Sequence, residues 1–223
     1  MVNGITVGEL CSRFPRLYHM AQLGSWPSIQ KHGLLSTKAL LDLFELRGEE
    51  RFRIESCHRP ESIPIVNTKY GGALVRDQKP MSDQSLLKAL RGSGLKPIDW
   101  YRELNSRVFF WLTEERVNTL MNARAYRRQR QTILVVDSKH LVERHEHRIM
   151  LCPMNSGCTI PFPHKRDLET FRRLAEYPYA KRKGNRDPIV ELAVDYSVPD
   201  ICDFVTEVRE AGAGQPTKVV WKR

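Results

Sequence analysis

Arg16-Leu17-Tyr18-His19-Met20-Ala21, followed by Ser25-Trp26-Pro27-Ser28-Ile29-Gln30-Lys31-His32-Gly33-Leu34-Leu35, is the stretch on which the fold turns. Its first six residues read as a strand, in which Leu17 and His19 share one face and Tyr18 and Met20 the other. Ser25 stands at an N-cap position, Pro27 falls in the first turn and Gly33 at the C-cap, which predicts a helix over Trp26 to His32. Val7, Leu10, Cys11 and Phe14 recur at helical spacing before Pro15, so a short helix precedes the strand. Beyond Gly33, Ala39, Leu40, Leu43, Phe44 and Leu46 lie on one face of a further helix, Ser36 to Leu46. The order is helix, strand, helix, Gly-Leu-Leu, helix.

Between Glu49 and Pro97 charges of both signs alternate and Pro60, Pro64, Gly71, Gly72 and Pro80 interrupt, so we expect an elaborated insertion in which only Ser82 to Leu90 is helical. Regular patterning resumes with a helix over Ile98 to Leu104, a buried strand Arg107 to Leu112, and a helix from Glu114 to Tyr126 capped by Thr113. Gln131 to Asp137 is too uniformly apolar to be a strand with one wet face. A helix over Ser138 to Arg144, a strand around Ile149 to Cys152, a loop over 153 to 158 and a helix over Arg166 to Leu174 follow. Tyr177 to Asp187 reads as a basic loop, Pro188 to Val194 as a strand, and Phe204 to Arg209 and Lys218 to Trp221 as final strands. With most strands late and no alternating βαβ units, the class is α+β, in a single domain over 1–223.

The 223 residues include 36 Lys and Arg against 26 Asp and Glu, a net charge of +10, with 41% hydrophobic residues. These values exclude disordered, collagen-like and coiled-coil chains. No apolar run approaches the roughly 18 to 20 residues of a membrane span. The first residues carry neither a basic nor an apolar leader region, so a cytoplasmic location and no membrane partner are expected. Cys11, Cys57, Cys152, Cys158 and Cys202 form no regular framework, which points to free thiols, and without a C-x-x-C pair no metal is expected from Cys152, Cys158 and His164 or His147. The nucleotide-binding glycine motifs of dinucleotide folds and P-loops are absent.

Two residues stand out for chemistry. His19 sits in a strand, where the plain alternative is an imidazole satisfied by a backbone carbonyl. Glu191 sits within Ile189-Val190-Glu191-Leu192-Ala193-Val194, where burying a carboxylate is costly unless it is paired or faces a cleft.

Tyr18-His19, the Trp-Pro-Ser-Ile helix with Gly33-Leu34-Leu35, the Val-Phe-Phe-Trp-Leu-Thr-Glu-Glu unit from Val108, and the late Val-Glu-Leu-Ala-Val-Asp-Tyr-Ser-Val-Pro-Asp-Ile segment together resemble the ADP-ribosyltransferase superfamily. The nearest similarity is to DarT-like DNA ADP-ribosyltransferases. The resemblance covers both ends and the strand-helix-strand middle; it does not cover Glu49 to Pro97. It implies a split β-sheet core with surrounding helices and a glycosyltransferase-class enzyme that uses NAD as substrate. The acceptor it implies is nucleic acid, in particular a base in single-stranded DNA. Such proteins act as bacterial toxins or defence effectors, with an antitoxin or immunity protein as a further partner.

The resemblance places Glu191 at the catalytic position, stabilising positive charge on the ribose and accepting the acceptor's proton. It places His19 at the NAD-anchoring position and Ser28 near another nucleotide contact. Ala21 departs from the family's Tyr-His-x-Thr, so a hydroxyl contact is missing or supplied elsewhere. A cofactor-binding arginine has three counterparts, Arg53, Arg59 and Arg76, of which Arg76 is favoured. Tyr18 and Trp111 are candidates for stacking on a base, and Asn155 and Ser156 for polar contacts, unless their loop is only an Asx-type turn ending at Gly157.

Arg124, Arg127, Arg128 and Arg130 form one basic run, and Lys181, Arg182, Lys183 and Arg186 another. Such runs are solvated faces or phosphate-tracking surfaces, and the adjacent Tyr126, Tyr177 and Tyr179 suit stacking on unpaired bases. Two other readings remain: a nucleic-acid-binding module on the same fold without NAD chemistry, and a transferase acting on protein.

Overall fold

The computed structural model describes residues 4–179 and 188–223. In chain order it contains α1 (Val7–Arg13), β1 (Arg16–Gln22), α2 (Trp26–His32), β2 (Leu34–Leu35), α3 (Thr37–Leu43), α4 (Gly48–Ser56), β3 (Ile63–Asn67), β4 (Gly71–Val75), α5 (Asp83–Ala89) and α6 (Pro97–Asn105). Then follow β5 (Arg107–Trp111), α7 (Glu114–Asn122), β6 (Gln131–Asp137), α8 (Ser138–His145), β7 (Ile149–Cys152), β8 (Glu191–Asp195), β9 (Ser197–Val198), β10 (Val205–Gly212) and β11 (Gln215–Lys222).

Seven strands form one antiparallel sheet in the order β11-β10-β6-β1-β5-β8-β7. Helices cover both faces, so the class is α+β as the sequence implies. On one face, Leu17, Phe110, Leu134, Leu151 and Leu192 pack with Leu10 of α1, Ile29 of α2 and Leu141 of α8. The other face divides into two clusters. Tyr18, Ile133 and Val135 lie with Val117 and Met121 of α7, and Cys152 and Ala193 lie with Leu86 of α5 and Trp100 of α6.

The ladder is uneven. β1 pairs with β6 along its whole length, and β5 with β8 likewise, whereas β1 and β5 share the single register pair Tyr18 and Trp111. The sheet therefore opens between β1 and β5.

Two segments far apart in the chain meet in a second, two-stranded sheet, where Leu34 pairs with Val198 and Leu35 with Ser197. Gly33 permits the approach: its φ is 77°, and a Cβ there would stand 2.5 Å from Pro199 Cα.

Three expectations are corrected. The insertion carries, besides α5, the helix α4 and the hairpin β3-β4, which pack Leu41, Phe44, Ile54, Ile65 and Val75 into a small core of their own. The Arg166 to Leu174 helix is replaced by a 3-10 turn at Leu168–Thr170 and a bridge from Arg172 to Leu151 on β7. The α7 helix ends at Asn122 rather than Tyr126, because residues 123 to 129 turn back to enter β6. All five cysteines are free. Among the described residues no helix is long and apolar enough to cross a membrane.

Candidate active site

The opening between β1 and β5 leads into a cavity of about 830 Å³, whose lining includes His19, Ser28, Arg76, Trp111, Asn155, Ser156 and Glu191. That volume lies within the range of small-ligand sites, roughly 300 to 1,000 Å³. His19 and Glu191 are 172 positions apart in the chain, yet only β5 lies between their strands.

Paired residues share a face, so Tyr18, Trp111, Glu191 and Cys152 form a row across one side of the sheet, and His19 projects from the other. Both reach the cavity because the β1-β5 ladder is interrupted beside Tyr18. The imidazole of His19 occupies the place of the missing main-chain bonds, its Nδ1 donating to Phe109 O at 2.8 Å. That bond is the one expected of a plain strand histidine, and it also fixes the tautomer, leaving Nε2 as an acceptor. Burial pushes the imidazole down to about 4, with the Arg76 guanidinium acting in the same direction, so the ring is neutral at pH 7.

Glu191 begins β8, between the two clusters on its face, and is only 4% exposed. The main-chain N–H of Ser156 donates to its Oε2 at 3.1 Å. Burial pushes the carboxyl up to about 7, against the opposing pull of the Ser156 bonds and of the Arg166 and Arg116 charges. A carboxyl poised there can hold or release a proton near neutral pH.

The 153–158 loop holds a turn closed by the main chain, Cys158 N–H to Asn155 O at 3.3 Å, rather than the Asx-type turn expected, and its position is also what aims Ser156 at Glu191. Arg166 holds it. This buried guanidinium donates to the carbonyls of His164, Asn155 and Cys158 and lies over the Trp100 ring at 5.8 Å. Nothing in the sequence around Arg166 marked it, because loop arginines are ordinarily exposed.

The three arginine candidates separate. Arg59 also lines the cavity, but it is buried and its donors are committed, Nε to Arg76 O, Nη1 to Ile54 O and Nη2 to Asn105 Oδ1. Arg53 is exposed outside the cavity lining. Arg76 lines the cavity, bonded through Nη1 to the neutral Gln131 Oε1 at 2.6 Å and seated 5.4 Å from the Tyr126 ring centroid. It is the guanidinium positioned to meet an anion.

Other candidates lie elsewhere. Tyr18 does not line the cavity; it is buried beside α7, its hydroxyl 3.4 Å from Glu114 Oε2. Tyr126 lines the wall, but Arg76 covers its ring and its hydroxyl bonds Asp77 Oδ1 at 2.9 Å, so it is no free stacking surface. Tyr177 is buried, and Tyr179 lies against Arg13. Arg130 ties the turn to the β10-β11 hairpin through the carbonyls of Glu210 and Pro216. Arg124, Arg127 and Arg128 are exposed on the segment that carries Tyr126 into the cavity wall. Lys181, Arg182, Lys183 and Arg186 lie outside the described residues. One residue singled out only by the structure is Ser25, which lines the cavity with a buried hydroxyl that has no hydrogen-bond partner among the described residues.

Fold and cavity together define an α+β protein with a ligand-sized cleft at the opening of an antiparallel sheet, furnished with a neutral histidine, a buried carboxyl and an arginine. Residues 15–205 match DUF7002, a family of unknown function, and the chain belongs to that family. No curated protein matches it.

Proposed function

We propose that the protein is an NAD-dependent ADP-ribosyltransferase acting on nucleic acid, with single-stranded DNA as the first acceptor to test. The observation that carries this reading is the convergence of His19 and Glu191, 172 residues apart, on one cavity beside the seam where β1 and β5 share a single register pair. The same two residues carry the resemblance in sequence.

The reaction breaks the bond between nicotinamide and ribose and joins the ribose to the acceptor, with a proton leaving the acceptor's nucleophile. His19 Nε2 accepts a hydrogen bond from a ribose hydroxyl, held in orientation by the Nδ1 bond to Phe109. Arg76 meets the pyrophosphate. Glu191, as carboxylate, faces the positive charge that develops on the ribose and takes the acceptor's proton. A cationic nicotinamide group beside Glu191 lowers its proton affinity, so substrate binding itself favours the ionised form. Ala21 brings no hydroxyl to the cleft; Ser25 stands four residues on and supplies one.

The exposed Arg124, Arg127 and Arg128 adjoin the cavity wall through Tyr126, which supports a polyanionic acceptor. The test is incubation with NAD labelled in its adenylate phosphate and separate pools of DNA, RNA and protein. Label in single-stranded DNA is expected. Label confined to protein would redirect the acceptor, and label in no pool would remove the enzymatic reading.

A further inference from the structure

The part of the cavity farthest along β4 from Glu191 is built where the insertion meets the ends of α2 and α3. Tyr70, in the turn of the β3-β4 hairpin, stands edge-on to His32 at the end of α2, with ring centroids 5.6 Å apart, and 6.1 Å from Phe44 at the end of α3. All three rings line the cavity. The arrangement is pinned by Asn67, whose Oδ1 accepts from the main-chain N–H groups of Lys69 and Tyr70 while Nδ2 donates to Phe44 O at 3.2 Å. The Lys69 ammonium lies 5.0 Å from the Tyr70 centroid, but Lys69 is exposed to solvent, so a base can displace it from the ring, whereas Arg76 is anchored over Tyr126 by its bond to Gln131. The His32 ring nitrogens make no hydrogen bond among the described residues, so a donor or acceptor is available beside the aromatic surface.

Chain geometry orders the cavity. From Tyr70, β4 runs Gly71–Val75 to Arg76, about 20 Å of extended chain at about 3.3 Å per residue. Past Arg76, Pro80 accepts from Thr159 N–H at 2.9 Å, which joins this wall to the loop that holds Glu191. Aromatic surface, cation and buried carboxyl therefore follow one another, as base, pyrophosphate and reacting ribose do along an extended dinucleotide.

We infer that the Tyr70, His32 and Phe44 cluster is the subsite for the adenine base, so that the β3-β4 hairpin selects the adenosine half of the ligand. This rests on the NAD reading above. A planar base stacks on the aromatic wall, with its edge hydrogen-bonded by His32. The asparagine-fixed turn holds the surface ready, which limits the ordering lost on binding.

Calorimetric titration of AMP, ADP-ribose, nicotinamide mononucleotide and NAD into wild type, Tyr70→Ala and Tyr70→Phe tests it. Tyr70→Ala is expected to weaken AMP, ADP-ribose and NAD roughly tenfold or more, leaving nicotinamide mononucleotide unchanged, while Tyr70→Phe, which keeps the ring and the turn, stays close to wild type. Equal loss for nicotinamide mononucleotide, or unchanged AMP affinity in Tyr70→Ala, overturns the assignment. Wild type that binds AMP through Tyr70 but neither NAD nor nicotinamide mononucleotide keeps the base subsite and refutes the dinucleotide reading. Failure to bind any of the four refutes both.

Discussion

Replacing Glu191 by Gln should make the protein more stable at pH 8, not less. In the native state burial raises this carboxyl from 4.5 to about 7, so holding it ionised opposes folding by about 3 kcal/mol once the pH passes both values. The sign follows from proton counting. Between 4.5 and 7 the folded protein keeps a proton that the unfolded chain has lost, so the contribution is fully present below 4.5 and is lost as pH rises through 7. Gln keeps the shape and an oxygen for the Ser156 N–H while removing the charge. His19 acts in the opposite sense, since its folded value of about 4 lies below the unfolded 6.5, and its contribution is lost as pH falls through 4. The wild-type curve alone is therefore flattened, and the difference between variant and wild type is the quantity to measure, because His19 is common to both. Urea unfolding from pH 4.5 to 8 should show the variant's advantage growing towards about 3 kcal/mol, or roughly 6 to 12 °C in Tm for a domain of this size. A difference that does not change with pH, or a variant less stable at pH 8, would refute the placing of a buried, proton-holding carboxyl at this position.

Arg76→Ala should raise the Kd for NAD roughly tenfold or more, the loss expected of a hydrogen bond to a charged group, and should lower the melting temperature less than Arg59→Ala does, because it leaves only the buried Gln131 Oε1 without this partner; titration calorimetry alongside a thermal melt checks both. Arg59→Ala should instead destabilise the fold by about 3 kcal/mol or more, since it strands the buried carbonyls of Ile54 and Arg76 and the side chain of Asn105; denaturant unfolding reads this directly. The Arg127→Ala, Arg128→Ala double variant should bind single-stranded DNA more weakly and lower the slope of log K against log salt by about 1 per charge, yet leave NAD binding intact; unchanged salt dependence would make this run a solvated turn.

Much of the sheet was legible because its strands carry their own signal. β6 is apolar over Ile133 to Val136 and buried from Gln131 to Val136, since β1 and β10 flank it and helices cover both faces, and β1 and β5 show the run lengths of buried strands. The α2 boundaries could be read from Pro27 and Gly33. The insertion was not, for physical reasons. The α4 sequence Gly-Glu-Glu-Arg-Phe-Arg-Ile-Glu-Ser buries only Ile54 and Ser56, so it has almost no apolar period. β3 and β4 form a two-stranded sheet with one fully buried side chain in each strand, Ile65 and Val75, and draw their stability from α3 and α4 rather than from local pattern. The Arg166 segment has helical spacing, but its guanidinium is spent on three loop carbonyls and its chain pairs with β7, a long-range outcome that periodicity does not encode. Within the site, His19 and Glu191 were visible as polar residues in apolar strands. Arg76 was a choice among three that only the partners of Arg59 resolve. Ser25, read simply as a helix cap, does not cap α2: its backbone is already helical and its hydroxyl lines the cleft.

The most direct test is nicotinamide release, quantified by chromatography for wild type and Glu191→Gln incubated with NAD and single-stranded DNA. With His19 and Glu191 acting on one bound dinucleotide, wild type releases one nicotinamide for each ADP-ribosyl group found on DNA. Glu191→Gln then releases orders of magnitude less, while its Kd for NAD stays within a few fold of wild type. Release by the variant at the wild-type rate, or none by wild type although it binds NAD and DNA, would contradict a transferase centred on this carboxyl.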